Sequence, residues 1–174
     1  MSTALFDPGV SVRSASAAPL IPAPPPPLLS PPRRLSPAEY LALDAAAERR
    51  SEFFEGEMYP VAGASPNHVE IAGNIVQSLK NQTDDRDDCR IFFSDTRVRA
   101  GFRYYYPDAG AVCGEYVTED TYHTLTNPTV LVEVLSKSTA DVDRGTKLRD
   151  YLRLPSLRTY LIVSQDAPII EQYE

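Results

Sequence analysis

The chain has 174 residues, an apolar content of 43% and a formal net charge of −7. That length supports one domain with a buried core, and the acidic balance argues against broad electrostatic attachment to nucleic acid. No apolar run approaches the ~18 residues of a membrane span, and neither the two cysteines, Cys89 and Cys113, nor the two histidines, His68 and His123, match a metal-ligand spacing.

The first thirty residues lack a basic leader, and prolines interrupt their apolar stretch, so no signal peptide is expected. A cytoplasmic location with both thiols reduced follows as the expectation, with a single Cys89–Cys113 disulfide as the alternative. Nine of the 16 prolines fall in residues 1–34. Proline removes the amide donor, so this segment is expected to be a disordered or polyproline-II tail, with a proline-rich docking ligand as the alternative. The folded domain is expected over residues 35–174.

That domain opens with "LSPAEYLAL". Ser36, Pro37 and Glu39 form a capping-box start for a helix reaching about Glu48. "SEFFEGEMYPV" reads as a strand or a hairpin turning at Gly56. "SPNHVEIAGNIVQSLKNQ" places Val69, Ile71, Ala72, Ile75, Val76 and Leu79 near helical spacing after Ser65-Pro66. After the charged connection "DDRDDC", "RIFFSDTRVRA" and "YYYPDAGAVC" read as consecutive strands turning at Ala100-Gly101. "PTVLVEVLS" is β-branched and apolar throughout, the pattern of a strand buried on both faces. "STADVDRGTKLRDYLRL" reads as a polar helix, and "RTYLIVSQD" and "PIIEQYE" as two closing strands with a turn at Ala167-Pro168. The expected fold class is mixed α/β or α+β, with the Val130–Leu135 strand near the centre of the sheet.

Two carboxylates sit where a strand would not ordinarily carry them. Asp108 follows Pro107, a common turn pair, and leads into apolar sequence. Glu133 interrupts "VLVEVL". A buried carboxylate must be paired, protonated or metal-bound; a distant arginine is one reading of Glu133. Glu57 is a third candidate acid. Clustered carboxylates repel unless a cation intervenes, and Mg²⁺, a hard cation with oxygen ligands, suits them. Asp143, Lys147 and Tyr151 follow at i, i+4 and i+8. They form either a surface salt bridge or a face that brings the Lys147 ammonium to the acids. His68 reads as a cap neighbour or a satisfied polar contact rather than a catalyst, and Tyr104, Tyr105 and Tyr106 as packing residues on both strand faces, with stacking on a base the weaker alternative. Arg97, Arg99 and Arg103 read as a solvated face or as phosphate contacts.

The stretches "AGASPNH", "YYYPDAGAVCG", "TLTNPTVLVEVLSKST", "DRGTKLRDYLRLPSL" and "YLIVSQD" together resemble the Uma-two family of predicted restriction endonucleases, within the PD-(D/E)xK nuclease superfamily, over about residues 35–174. The resemblance implies a restriction-endonuclease-like fold, a mixed central sheet flanked by helices. It implies Mg²⁺-dependent hydrolysis of DNA phosphodiesters, with Mn²⁺ as a substitute ion. By position, Pro107-Asp108 corresponds to the "PD" element, Glu133 to the second acid and Glu57 to the acid ahead of the core. Asp108, Glu133 and Glu57 are thus the implied metal ligands. The "xK" position falls on Leu135, which has no proton or charge to offer, and Lys147 on the next helix is the implied replacement. Ala109-Gly110-Ala111 and Lys137 also depart from the pattern, and a glycine in a strand predicts looser positioning of Asp108. The relatives' further strand pair makes a C-terminal truncation with an open final edge the expectation. DNA is the implied partner, with a homodimer compatible with two-fold DNA. A binding protein that keeps the nuclease fold without turnover is the alternative, and a two-carboxylate glycosidase a third reading that leaves Lys147 unexplained.

Overall fold

The computed structural model describes residues 34–119 and 121–174. The proline-rich segment, apart from Arg34, lies outside the described residues. Helix α1 (Pro37–Ala46) starts as the sequence predicts: Ser36 and Glu39 cap each other's amides, with Pro37 in the first turn. The hairpin of β1 (Ser51–Phe54) and β2 (Glu57–Pro60) turns at Glu55-Gly56, both with positive φ. Helix α2 (Pro66–Gln82) is capped by the Ser65 hydroxyl, which accepts from the His68 amide.

The strands then divide between two sheets. β3 (Cys89–Phe93) and β6 (Ala109–Cys113) belong to one, while β4 (Val98–Ala100) and β5 (Arg103–Tyr105) belong to the other. The expected turn at Ala100-Gly101 is present, with Gly101 at φ 65°. Each of the two long strands expected around it is broken, however. The first breaks at Asp95, whose φ is 58°; the second breaks at Tyr106-Pro107-Asp108. Proline has no amide to donate and restrains its predecessor, so the chain leaves one sheet there and enters the next.

The first sheet runs β2-β1-β5-β4-β8-β7, with β7 (Thr118–Glu119) and β8 (Thr124–Leu125) short. The second runs β11-β10-β9-β6-β3, with β9 (Val130–Val134), β10 (Thr159–Val163) and β11 (Ile170–Tyr173). β9 is central, as expected, parallel to β10 and antiparallel to β6. Side chains alternate across β9. Val132 and Val134 face α2 and pack on Ile71, Ala72, Ile75, Val76 and Leu79. Leu131 faces the other way, into a core with Val98, Tyr105 and Leu125 of the first sheet and Tyr151, Tyr160 and Ile162. The final strand β11 is paired with β10 along four residues and forms the edge of its sheet.

The predicted polar helix is present in three consecutive pieces: α3 (Ala140–Val142), a π-helical turn (Asp143–Lys147) and α4 (Leu148–Tyr151). A π turn widens the helix, a feature frequent at functional sites. Here both of its ends, Asp143 and Lys147, are buried.

The expectation of reduced thiols is not met. The β3–β6 register sets Cys89 directly opposite Cys113, and the two form a disulfide. Nor is β6 loosened by its small residues: Ala109, Gly110 and Ala111 are all buried. Gly110 pairs with Phe92, and a Cβ there would collide with the Phe92 ring and the Val130 carbonyl. Gly110→Val is therefore expected to destabilise the fold by about 1–3 kcal/mol, the usual range for overpacking, measured as a lower urea midpoint. A midpoint within error of the parent would refute this packing role.

Candidate active site

The break at Pro107 places Asp108 one step before Ala109, level with Glu133 across the β6–β9 register. Its carboxylate is tied to that strand directly: Oδ2 accepts from the Val134 amide at 2.7 Å. Oδ1 lies 2.8 Å from His68 Nε2 at the start of α2. Asp108 is thus a fixed carboxylate at a strand end, half-buried. His68 is the satisfied polar contact that the sequence allows: its ring bridges Asp108 and Gln165, whose amide lies 3.4 Å from the other ring nitrogen. Gln165 also donates to the Leu135 carbonyl at 2.7 Å, so the three strand ends are stitched together.

Glu133 faces away from α2, toward the π turn. Lys147 Nζ lies 3.0 Å from Glu133 Oε1, 2.8 Å from Glu52 Oε1 and 3.3 Å from Asp143 Oδ1. The buried Tyr151 hydroxyl donates to Glu133 Oε1 at 3.1 Å, and the Tyr106 amide donates to Glu52 Oε1 at 3.2 Å. The distant-arginine reading of Glu133 and the surface reading of Asp143–Lys147 both fail. The partner is Lys147, and lysine and aspartate side chains are 5% and 1% exposed.

Asp108, Glu133 and Lys147 line one groove of about 930 Å³ together with Glu52 and His68. Asp143 stands behind Lys147, outside the groove lining. Glu57 is not brought to this group: it is exposed at the turn end of the β hairpin, where its carboxylate accepts from the Tyr59 hydroxyl. Glu52 stands with the other acids instead. Both glutamates share a face of the hairpin, since Glu57 pairs with Phe54, two residues from Glu52. Only the register decides which one reaches the centre. Leu135 is buried in the core, so the lysine's usual strand position is closed here.

The electrostatics follow from three carboxylates around one ammonium, with Asp108 a fourth acid acting on Glu133. Burial alone would pull Lys147 down, but Glu133, Glu52 and Asp143 outweigh it and hold the ammonium well above the usual lysine range. For Glu133, burial is the main cause of a rise well above the usual carboxylate range. Lys147 opposes that rise, and Asp143, Asp108 and Glu52 add to it. One ammonium does not satisfy all three acids around it, and the Asp143 oxygen nearest it has no hydrogen bond. A hard divalent cation fits this excess of carboxylate oxygen. Among the described residues, no three acid or imidazole side chains are drawn together as a ready cage; the ammonium stands between Glu52 and Glu133.

The arginines near this region are committed elsewhere. Arg97 is buried against Asp44, Arg99 pairs with Glu119 at 2.7 Å and Arg103 with Asp150 at 2.7 Å. Arg97 is therefore not part of a solvated face, whereas Arg99 and Arg103 stay partly exposed within their ion pairs. The tyrosines behave as expected: Tyr104 packs with Tyr40 and Phe53, and Tyr105 packs edge-on against Tyr151.

The sequence matches the Uma2 family, described as "Putative restriction endonuclease", over residues 37–174. The chain belongs to the Uma2 family. Two relatives from Synechocystis sp. (strain ATCC 27184 / PCC 6803 / Kazusa) are similar to it. "Uncharacterized protein sll1609" is 36% identical over 143 residues, 80% of this chain and 80% of that protein. "Uncharacterized protein slr1290" is 35% identical over 142 residues, 80% of this chain and 74% of that protein. The fold is also that of a crystal structure from Anabaena variabilis ATCC 29413, described as "a putative nuclease belonging to DUF820". It aligns with a TM-score of 0.66 at 16% identity over 80% of this chain and 79% of that one. Membership in Uma2 fits the fold class read from the sequence, a mixed sheet with flanking helices. No helix among the described residues is long and apolar enough to cross a membrane.

Proposed function

We infer that this Uma2 protein is a metal-dependent endonuclease hydrolysing phosphodiester bonds in DNA. The observation that carries this reading is the meeting of Asp108, Glu133 and Lys147 in one groove from three separate elements. Asp108 and Glu133 would hold Mg²⁺, or Mn²⁺ in its place, with Glu52 in the position expected of Glu57. Such an ion supplies a Lewis acid for the phosphate and lowers the pKa of a bound water. Lys147 contributes a permanent positive charge, which orients a water or offsets charge developing on the phosphate. Tyr151 and the Tyr106 amide fix Glu133 and Glu52 so that neither has to reorient. Exposed Lys137 and the hydroxyls of Ser136, Ser138 and Thr139 on the groove wall are suited to strand phosphates.

Cleavage of supercoiled plasmid with Mg²⁺ or Mn²⁺ tests this. Asp108→Ala is expected to lower the rate by at least about a hundredfold, the scale of losing a key electrostatic group. Glu52→Gln is expected to lower it clearly, and Glu57→Gln to leave it unchanged. Cleavage that survives Asp108→Ala would remove this site from the reaction. The second reading, a nuclease-fold binding protein without turnover, draws on Lys147 being enclosed by three carboxylates. It would be favoured by DNA binding with no cleavage under either metal.

A further inference from the structure

A second concavity of about 360 Å³ opens beside the groove and shares Arg50, Asp95 and Tyr106 with it. Its remaining walls carry Tyr116, Tyr122 and His123. The rings are backed by cations: the Arg97 guanidinium lies 5.8 Å from the Tyr122 ring centre, and Arg90 lies 6.0 Å from that of Tyr116. Tyr122 is 41% exposed, although it is large and apolar. His123 holds a left-handed backbone, φ 57°, a conformation that costs free energy and concentrates at ligand sites.

Arg97 is buried on Asp44 at 2.8 Å, and Arg50 makes only a loose, exposed pair with Asp95 at 3.9 Å, so the acids balance the guanidinium groups and the pocket carries no net positive charge. A phosphate would call for unpaired guanidinium groups. Three tyrosine rings, an imidazole and neutralised charge instead suit a flat, uncharged heteroaromatic ring with a polar edge. Thr96 and Asp95 are at hand as polar lining. Bases of single-stranded nucleic acid stack on such aromatic platforms, and bases withdrawn from a duplex enter pockets of this character.

We propose that this pocket is a nucleobase subsite, taking one unstacked base of a strand whose phosphates occupy the adjoining groove. The proposal rests on the nucleic-acid reading above and adds the part of the strand that the second pocket holds. Tyr116 and Tyr122 are the stacking residues, and Tyr106 forms the shared wall between base and phosphate.

The test is fluorescence anisotropy on the full chain with Ca²⁺ in place of Mg²⁺, which supplies a hard cation to the carboxylates, with uncut probe confirmed on a gel. The probes are a labelled twelve-residue oligothymidylate and the same length of abasic deoxyribose phosphate. The base-bearing strand is expected to bind about tenfold more tightly, the scale of one stacked base. Tyr122→Ala and Tyr116→Ala are expected to remove that advantage and leave the abasic affinity within about twofold. Tyr122→Phe, which keeps the ring, is expected to retain it, and thermal midpoints confirm that the variants fold. Equal binding of both strands, or equal weakening of both by the alanine variants, overturns the base subsite and leaves the phosphate groove standing. Failure of either strand to bind overturns the nucleic-acid reading together with the subsite.

Discussion

Replacing Lys147 by methionine is expected to abolish cleavage and to destabilise the fold by about 3–5 kcal/mol at neutral pH, the cost of stranding buried charge. Methionine fills much of the same volume, so the loss reports charge rather than a cavity. Three carboxylates lie within 3.3 Å of the ammonium, and none has a second cation beside it among the described residues. The pH dependence carries the signature. In the parent, the carboxylates raise Lys147 above its unfolded value of about 10.4. The native state therefore binds the proton more tightly, and the stability it contributes is complete below that value and lost as pH rises through the folded pKa. In the variant, the raised Glu133 loses its lowering partner. A carboxyl raised in the native state stabilises below its unfolded value of about 4.3 and costs stability as pH rises. The variant should thus regain stability on acidification toward pH 5, measured by urea midpoints at pH 5 and pH 8. A change below about 1 kcal/mol, flat with pH, would show that Lys147 does not neutralise these acids.

The dependence on register explains what could be read in advance. Helices α1 and α2 were legible because Ser36-Pro37 and Ser65-Pro66 cap them locally. Glu133 was legible because a carboxylate inside "VLVEVL" has to be answered by something. Lys147 came from helical spacing and family resemblance, and the π turn that buries it left no mark in the sequence. Glu52 was missed in favour of Glu57 because both lie on one hairpin face and only strand pairing separates them. The two-sheet division was missed because "RIFFSDTRVRA" keeps strand-like residues on both sides of Asp95, where a non-glycine residue takes positive φ. The disulfide stood only as the alternative to reduced thiols, because a separation of 24 residues gives no hint of facing strands.

Asp44→Ala is expected to cost about 3–5 kcal/mol, for the same reason that stranded buried charge is expensive. Asp44 is fully buried. Its Oδ1 accepts from the Ser51 amide at 2.7 Å, and its Oδ2 from Arg97 at 2.8 Å and from the Tyr106 hydroxyl. Burial first, then the bond to Asp44, pushes Tyr106 up to about 12, so its hydroxyl remains a donor at neutral pH. Removing the carboxylate leaves Arg97, itself 5% exposed, without its 2.8 Å counter-charge. The double variant Asp44→Ala/Arg97→Met is expected to be more stable than the sum of the single losses predicts, because it removes both charges. The effect should also reach the groove. Ser51 precedes Glu52, and the amide of Tyr106 holds the Glu52 carboxylate, so one buried aspartate sets both ends of that contact. Cleavage by Asp44→Ala, assayed well below its thermal midpoint, should fall while Glu57→Gln does not change it. Additive stability losses in the double variant would refute the pairing, and unchanged cleavage would refute its reach to Glu52.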